Sequence, residues 1–276
     1  MKKLCLTAAI LMTAAASMAQ DHLPPIFGAD TALFRKDIMT RSYMTPKKIL
    51  WTSSATAVQN AELLLKPNTG QADIFGEGMC RLTNNGNDQA SLILDFGHEL
   101  HGGFKLVISS CSPLQTPQVR LRFGESVSET CSELNTTKSI AETGSKADVN
   151  LKANTATNDH AIRDMVLTVP FYGQMEVGST GYRFVRIDLL TPGQTINLKE
   201  ATAILRYRDI PYVGSFRCSD QRLNDIWMTG AYTVHLNMQE YIWDGVKRDR
   251  LVWLGDMHPE TTTISNVFGD DGSFYA

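Results

Sequence analysis

The sequence predicts an antiparallel, jelly-roll-like β-sandwich followed by a separate helical segment. Residues 76–208 contain short apolar or alternating segments between Gly, Pro and Asn residues, which is typical of strands joined by turns. Helical periodicity is absent from this region and first appears after Ser219. The 276 residues, 43% of them hydrophobic, suffice for about two domains with a sizeable core.

Six strand-like segments support the sandwich prediction. Residues 119–123 alternate apolar and charged side chains, as expected when one face of a strand is buried. Residues 91–96 and 104–109 are separated by a glycine-containing stretch, 97–103, which we interpret as a turn. The remaining segments are 165–169, 182–189 and 201–207. Short strands of this kind indicate an antiparallel sandwich.

Residues 1–19 have the pattern of a signal peptide. Lys2 and Lys3 precede an apolar run, and Ser17 and Ala19 place small residues before a cleavage site. The run is too short to span a bilayer, so we expect export to the periplasm or the extracellular space. Residues 20–75 are interrupted by prolines, and we interpret them as an extended lead-in packed on the sandwich.

Composition and spacing argue against several kinds of site. A net charge of −3 implies no large basic surface, so we expect no nucleic-acid partner. His98 and His101 are three residues apart in the predicted turn, whereas the helical zinc motif needs two histidines four apart. We therefore expect no metal and no cofactor, and the sequence specifies no oligomeric state.

Four cysteines follow the predicted signal peptide, and their spacing matches no zinc motif. Export would permit a disulfide, for instance Cys111–Cys131. The favoured alternative is four separate small core residues, because free cysteine is often buried.

Residues 125–162 are rich in Ser, Thr, Asn and Lys. They form either a mobile excursion, which we favour, or part of a binding rim.

An amphipathic helix is predicted after Ser219, its N-cap. Its apolar stripe comprises Leu223, Ile226, Trp227, Ala231, Val234 and Met238. His235 lies beside this stripe and is interpreted as a packed core histidine. Pro259 suits the first turn of a second helix, which Ile264 and Val267 continue.

The stretch 243–260 between these helices concentrates carboxylates and tryptophans. It contains Asp244, Asp249, Asp256 and Glu260 and has no regular apolar face, which predicts an ordered loop. Carboxylates accept hydrogen bonds from sugar hydroxyls, an indole covers the apolar face of a sugar ring, and one acid can protonate a leaving oxygen. The alternative is a surface cluster of ion pairs. The position between two helices, after a complete sandwich, favours a sugar site.

This loop resembles that of the bacterial α-L-rhamnosidases, glycoside hydrolases (family 78) of the six-hairpin (α/α)6-barrel type. Their loop has the form Asp-x-x-x-Arg-(Asp)-Glu-Arg-x-x-Trp-x-Gly-Asp. The matching residues here are Asp244, Arg248, Asp249, Arg250, Trp253, Gly255 and Asp256. LDFG at 94–97, FGES at 123–126 and GYRFVRI at 181–187 are similar to the sandwich of those enzymes. The resemblance covers residues 76–268.

The resemblance implies inverting hydrolysis of terminal α-L-rhamnosyl residues, with rhamnose-containing carbohydrates as partners. Residues 209–276 would be the start of the catalytic barrel. Asp249 stands where the family has its general acid, a glutamate. The substrate-binding residues of the family correspond to Asp244, Arg248, Arg250, Trp253 and Asp256. Of these, the two arginines are expected to orient the acids rather than to touch the scissile bond.

Two departures from the family pattern affect this expectation. Aspartate is one methylene shorter than glutamate, so proton delivery from Asp249 needs a shifted backbone or substrate. Only 20 residues follow Asp256, too few for a closed barrel or for the general base of the family. We therefore expect a truncated gene product or fragment that does not turn over substrate. The alternatives are an exported, non-catalytic carbohydrate-binding sandwich and a six-hairpin glycosidase acting on another sugar.

Overall fold

The computed structural model describes five parts of the chain: residue 26 and residues 39–73, 77–131, 164–247 and 250–269. Every helix and strand below lies in the compact unit Ile38–Ala276. No helix in these described parts is long and apolar enough to cross a membrane.

Three of the predicted features lie outside the described residues. They are the signal peptide at 1–19, most of the polar segment at 125–162, and the pair Arg248 and Asp249 at the centre of the acidic loop. The structure describes the residues on either side of the predicted general acid, up to Lys247 and from Arg250.

The described residues contain nine strands in one antiparallel sheet, ordered β3-β4-β9-β5-β8-β6-β7, with β1 on β9 and β2 on β5. The strands are β1 (Met39–Met44), β2 (Lys48–Thr52), β3 (Val58–Gln59), β4 (Cys80–Asn84), β5 (Ser91–Ser112), β6 (Gln118–Gly124), β7 (Asp164–Thr168), β8 (Gly173–Leu189) and β9 (Gln194–Arg208). The helices are α1 (Val127–Cys131), α2 (Gln221–Asn237) and α3 (Leu254–Val267).

The length of β5 lets the sheet fold over into a sandwich. Residues 91–95 pair with β2 and with the end of β8, whereas the part from Gly102 onwards pairs with β9 and with the start of β8. Register shifts between these parts are bulges, which bend a strand and increase its twist. The two parts of β5 therefore have different neighbours and enclose one core. The predicted antiparallel sandwich followed by helices is confirmed.

The predicted turn at 97–103 is wrong, because this stretch is part of β5. Gly97 (φ +87°) and Gly102 (φ +144°) have backbone angles that side chains rarely adopt. They place bulges in a continuous strand instead of reversing the chain. Glycine occurs in bulges as well as in turns, so its presence in the sequence does not distinguish the two. The two histidines of the stretch separate, since His98 is exposed and His101 is fully buried.

Three short strands precede residue 76. β1 pairs with β9 over six residue pairs, and β2 pairs with the first part of β5. The sequence of this region predicts only a lead-in, because its strands are mostly exposed or half-buried and lack a clear alternation. The described part of the lead-in thus contributes strands to the same sheet.

The sandwich core contains a cluster of aromatic rings. Phe123 and Tyr182 lie 5.0 Å apart between ring centres, and Phe104 and Phe96 pack edge-on against this pair. The Tyr182 hydroxyl donates a hydrogen bond to the carbonyl of Gly103 at 2.5 Å, so its polar atom is satisfied inside the core. Phe104 and Tyr182 come from the predicted strands, whose burial is confirmed.

The helix predicted after Ser219 is α2, but its N-cap is Asp220. The Asp220 carboxylate accepts a hydrogen bond from the Arg222 N–H at 2.9 Å. Of its predicted stripe, Leu223 and Ile226 are 48% and 58% exposed. His235 is a packed histidine as predicted, with one ring nitrogen 2.7 Å from the Arg208 carbonyl oxygen.

The second helix, α3, begins at Leu254, so Pro259 lies inside it and not in its first turn. The helix can start here because Asp256 lies in its first turn, where the helix dipole favours a carboxylate. α3 packs on α2 through a small second core. Its buried members are Ala231, Met238, Ile242, Ile264, Val267 and Phe268.

All four described cysteines are unpaired. Cys80 and Cys111 are buried, whereas Cys131 is exposed and Cys218 is half-buried. The Cys111–Cys131 alternative is therefore not formed. The core interpretation holds for Cys80 and Cys111, which lie on strands, and fails for the two that lie on a helix and a connection.

Candidate functional site

Asp244 holds the loop between α2 and α3 closed. Its backbone N–H donates to the Leu251 carbonyl at 3.0 Å, and its Oδ1 accepts from the Leu251 N–H at 2.9 Å. Its Oδ2 accepts from the indole Nε1 of Trp253 at 3.1 Å. These bonds join the two ends of segment 244–253, which contains the predicted general acid. Both carboxylate oxygens of Asp244, a predicted sugar ligand, are thus engaged within the loop.

Arg250, also predicted to bind substrate, directs its guanidinium into the sandwich. It donates to the Val246 carbonyl at 3.0 Å and to the Ser179 carbonyl of β8 at 2.7 Å. Its guanidinium carbon lies 5.1 Å from the centre of the Trp243 ring, within the range of a cation–π contact. The backbone φ of Arg250 is +53°, a strained value for a residue with a side chain. The side chain therefore holds a strained turn directly after Asp249.

Val246 and Lys247 seat the loop on the sandwich, and both are buried. The Lys247 ammonium forms an ion pair with Glu129 of α1 and lies 4.0 Å from the Glu125 carboxylate. A Cβ on Gly181 would stand 2.5 Å from a Val246 methyl group, so the glycine permits this close approach. Gly181 belongs to the GYRFVRI motif, which therefore has a physical role in docking the loop.

Beneath the loop, His101 is fully buried against Trp243, with ring centres 5.2 Å apart and planes at 89°. Neither ring nitrogen has a hydrogen-bond partner of good geometry among the described residues. Burial, followed by the positive charges of Arg250 and Arg206, lowers the pKa of His101 to about 3, although the Val246 backbone opposes this. The ring is therefore neutral, and protonating it destabilises the seat of the loop.

We expect His101→Phe to reduce acid sensitivity. The unfolded imidazole has a pKa near 6.5 and the folded one a much lower pKa, so stability is lost as pH falls below about 6.5. At pH 5 this loss amounts to about 2 kcal/mol relative to pH 7. Urea unfolding of both proteins at pH 5 and 7 measures it. Equal pH dependence in the two proteins would contradict the assignment to His101.

Trp253 and Asp256, predicted in the loop, lie at the start of α3 and remain accessible. Trp253 is the N-cap and is 50% exposed, and Asp256 is exposed in the first turn. An exposed indole beside a carboxylate is a surface on which a sugar ring can stack and donate hydroxyl hydrogen bonds. Asp244 is joined to Trp253 by its hydrogen bond, so these three predicted residues are brought together. Arg250 is directed away from them.

A cleft of about 1180 Å³ lies beside the loop, between the sandwich and α2. Residues 96–100 of β5 line one wall, and α2 lines the other. Asp244 to Lys247 form the end nearest the loop. No described group of His, Cys, Asp and Glu side chains in this region or elsewhere could hold a metal ion.

Glu99 is a cleft residue that the sequence analysis does not identify. Burial, and secondly the charge of Glu125, raise its pKa to about 7. Its backbone carbonyl accepts a hydrogen bond from the Tyr232 hydroxyl of α2 at 2.6 Å. Glu99 can therefore bind or release a proton near neutral pH. Its signal in the sequence is its place between His98 and His101, whose spacing bears on a zinc motif and not on an isolated carboxyl group.

Residues 211–275 match the family model of the bacterial alpha-L-rhamnosidase 6 hairpin glycosidase domain. A search of curated proteins found no significant match.

Among solved structures, the chain is similar to a rhamnosidase from Klebsiella oxytoca with rhamnose bound (TM-score 0.60, 18% identity, covering 84% of this chain and 42% of that one). It is also similar to a GH78 family rhamnosidase of Bacillus sp. GL1 (TM-score 0.54, 18% identity, covering 75% of this chain and 18% of that one). A third similar structure is the alpha-L-rhamnosidase from Dictyoglumus thermophilum (TM-score 0.50, 18% identity, covering 85% of this chain and 20% of that one).

The resemblance to bacterial α-L-rhamnosidases is confirmed by the family match and by these structural neighbours. At 18% identity the structural likeness shows the fold, a β-sandwich followed by helices that fit the start of a helical barrel. The chain spans less than half the length of each of these three structures.

Proposed function

We propose that this chain is the sandwich and first barrel helices of an α-L-rhamnosidase-like glycoside hydrolase that inverts the anomeric carbon. The single observation that carries the proposal is the clasped acidic loop. Asp244 ties its two ends together, and Arg250 anchors it to β8. A family match over the same helical segment supports the proposal. We further propose that the protein is exported, as its first 19 residues predict.

In this proposal Asp249 is the general acid and gives its proton to the glycosidic oxygen. The positive φ of Arg250 fixes the backbone conformation directly after Asp249. Such positioning matters because an acid must lie within hydrogen-bond distance of the atom that it protonates. The exposed Trp253 indole offers the apolar surface for the sugar ring, and Asp256 accepts its hydroxyls. Arg250 acts here as a positioning residue.

The mechanism also needs a base that activates water, roughly 6.5–9.5 Å from the acid across the sugar ring. Asp244 is a poor candidate, because Leu251 and Trp253 already engage its two oxygens. The proposal assigns no base among the described loop residues. We accordingly propose that the 276-residue chain binds sugar without turning it over.

Replacement of the acid tests the proposal. In the complete reading frame that contains this chain, Asp249→Asn is expected to lower hydrolysis of an aryl α-L-rhamnoside by about 10²–10⁴-fold. Binding of L-rhamnose should persist, because the amide keeps the shape of the side chain. Asp225→Asn is a matched control, since Asp225 is exposed on α2 and, among the described residues, its carboxylate accepts a hydrogen bond from the Gln221 amide alone.

Three results would contradict or change this assignment. Hydrolysis and binding that are both indifferent to Asp249→Asn would contradict the proposed role of the loop. Binding of L-rhamnose without any hydrolysis by the complete protein would favour the non-catalytic carbohydrate-binding alternative. Hydrolysis of an aryl glycoside of another sugar would retain the reaction type and change the substrate.

A further inference from the structure

The cleft between the sandwich and α2 has walls that are joined to each other. Residues 96–100 of β5 form one wall, and the Tyr232 hydroxyl of α2 donates a hydrogen bond across to the Glu99 carbonyl at 2.6 Å. At the loop end, the buried Lys247 is paired with Glu129. The volume of about 1180 Å³ exceeds the roughly 300–1,000 Å³ of a pocket for one drug-sized ligand. The cleft therefore has room for more than one sugar ring.

The lining of the cleft combines charges of both signs with aromatic and aliphatic surface. The charged residues among the described lining are Glu99, Glu125, Asp244, Lys47, Arg183 and Lys247. Their formal charges cancel, so the cleft has no general attraction for a polyanion or a polycation. Phe96, Tyr212 and Tyr232 contribute rings, and Leu205 and Leu236 contribute aliphatic side chains.

A neutral ligand with many hydroxyl groups fits this lining. Hydroxyls donate hydrogen bonds to carboxylates and accept them from cations, and the apolar faces of a sugar ring pack on aromatic side chains. An apolar ligand would cover polar groups without bonding them, which costs stability. Burial, and then the charge of Glu125, raise the pKa of Glu99 to about 7. This carboxyl has already lost much of its contact with water, so a hydroxyl that reaches it replaces little solvent.

The cleft also adjoins the surface proposed for the terminal sugar. Asp244 lines the cleft, and its Oδ2 accepts the 3.1 Å hydrogen bond from the Trp253 indole. Lys247 lines the same end, and the proposed acid, Asp249, follows it by two positions in the sequence. A general acid protonates the leaving-group oxygen, so the leaving group lies on the side of the acid. The cleft is thus a space next to the Trp253 surface into which a leaving group can extend.

We propose that this cleft is a second sugar-binding site, which holds the neutral sugar units to which a terminal α-L-rhamnosyl residue is attached. The inference rests on the proposed function and gives it a substrate class, rhamnose-terminated oligosaccharides. Glu99 and Glu125 accept hydrogen bonds from hydroxyls of these units, and the Tyr232 ring packs against one of them. The terminal sugar itself lies on Trp253.

The affinity of the 276-residue chain for two probes tests the second site. One probe is methyl α-L-rhamnoside, and the other is a trisaccharide with a terminal α-L-rhamnosyl residue on two D-glucose units. Isothermal titration calorimetry should show at least about tenfold tighter binding of the trisaccharide, since its extra rings add hydrogen bonds to carboxyl groups. A trisaccharide that binds no more tightly than the methyl glycoside, or does not bind, would overturn the inference.

Thr233→Trp obstructs the cleft at an exposed position of α2. Thr233 lines the cleft, and its hydroxyl donates to the Thr229 carbonyl within the helix. We expect this variant to lose the tenfold advantage of the trisaccharide. Thr262→Trp is the matched control, because Thr262 is exposed on α3, donates to the His258 carbonyl in the same way and does not belong to the described cleft lining. The control should keep the advantage.

Glu99→Gln tests the polar contacts while the cleft stays open. It is expected to weaken trisaccharide binding about three- to tenfold, because the amide replaces an acceptor that can carry a charge. Circular dichroism and the Tm establish that both cleft variants fold. A full tenfold advantage in Thr233→Trp, or unchanged trisaccharide affinity in Glu99→Gln, would overturn the inference.

The proposed function fails by a different result. If hydrolysis of the trisaccharide by the complete protein is indifferent to Asp249→Asn while its affinity depends on Thr233 and Glu99, the second sugar site stands and the acid assignment is wrong. If hydrolysis depends on Asp249 while both probes bind equally well, the hydrolase stands and the cleft is not part of its site.

Discussion

Gly102→Ala is expected to prevent the sandwich from reaching its native state. A Cβ at this position would overlap the carbonyl oxygen of Ile204 and would stand 3.2 Å from the Arg206 nitrogen, both backbone atoms of β9. The φ of +144° adds strain of about 1–3 kcal/mol. Since β5 and β9 must separate to make room, the total loss should exceed about 4 kcal/mol, a large part of the stability of an ordinary domain.

Gly86→Ala separates the two causes of this loss. Gly86 also has a positive φ, +93°, but a Cβ there meets no atom within 4 Å. Its alanine variant should lose only the strain, about 1–2 kcal/mol. Circular dichroism and urea unfolding compare the two variants. Equal stabilities would mean that β5 and β9 do not approach each other as closely as the structure shows.

Arg250→Ala is expected to lower stability by about 3–5 kcal/mol and to weaken L-rhamnose binding. The substitution removes charged hydrogen bonds to the Val246 and Ser179 carbonyls, each contributing about 1.5–3 kcal/mol, together with the contact to Trp243. The strained φ of +53° would remain without the contacts that hold it. Thermal unfolding and the intrinsic tryptophan fluorescence, to which Trp243 contributes with the three other tryptophans, measure the loosening of the loop.

Two further substitutions distinguish the possible roles of Arg250. Arg250→Gly loses the same contacts but accepts the positive φ, so it should be about 1 kcal/mol more stable than Arg250→Ala. Arg250→Lys keeps the charge without the planar fork that serves two carbonyls at once. A variant that binds L-rhamnose poorly yet unfolds like the unaltered protein would restore the substrate-binding role first predicted for this arginine.

Local patterns were enough to predict segments of β5 to β9 and both long helices, but not β1 to β4. Residues 119–123 alternate because β6 has one face against the core, and the burial of Leu121 and Phe123 confirms this. The stretch 97–103 was misread because glycine is needed both in turns and in bulges. Which of these forms depends on the partner strand, and Gly102 lies against Ile204, more than 100 residues away in sequence.

The candidate site was predictable where its residues are neighbours in the chain. Asp244, Trp253 and Asp256 belong to one loop motif, and the structure brings them together. Glu99 and Tyr232 meet across 133 residues, and no local pattern connects them. The burial of Glu260 depends on how α3 packs on α2, so its raised pKa could not be read from its position beside other carboxylates.

The sequence by itself determined the order of a sandwich followed by helices and the acidic loop between those helices. These follow from side-chain periodicity and from residues adjacent in the chain, which any conformation of the same segment retains. Only the tertiary structure decided that Arg250 faces β8, that Asp244 closes the loop, and that Glu260 is buried. Hydrogen-bond partners and desolvation depend on distances between segments, and folding alone sets those distances.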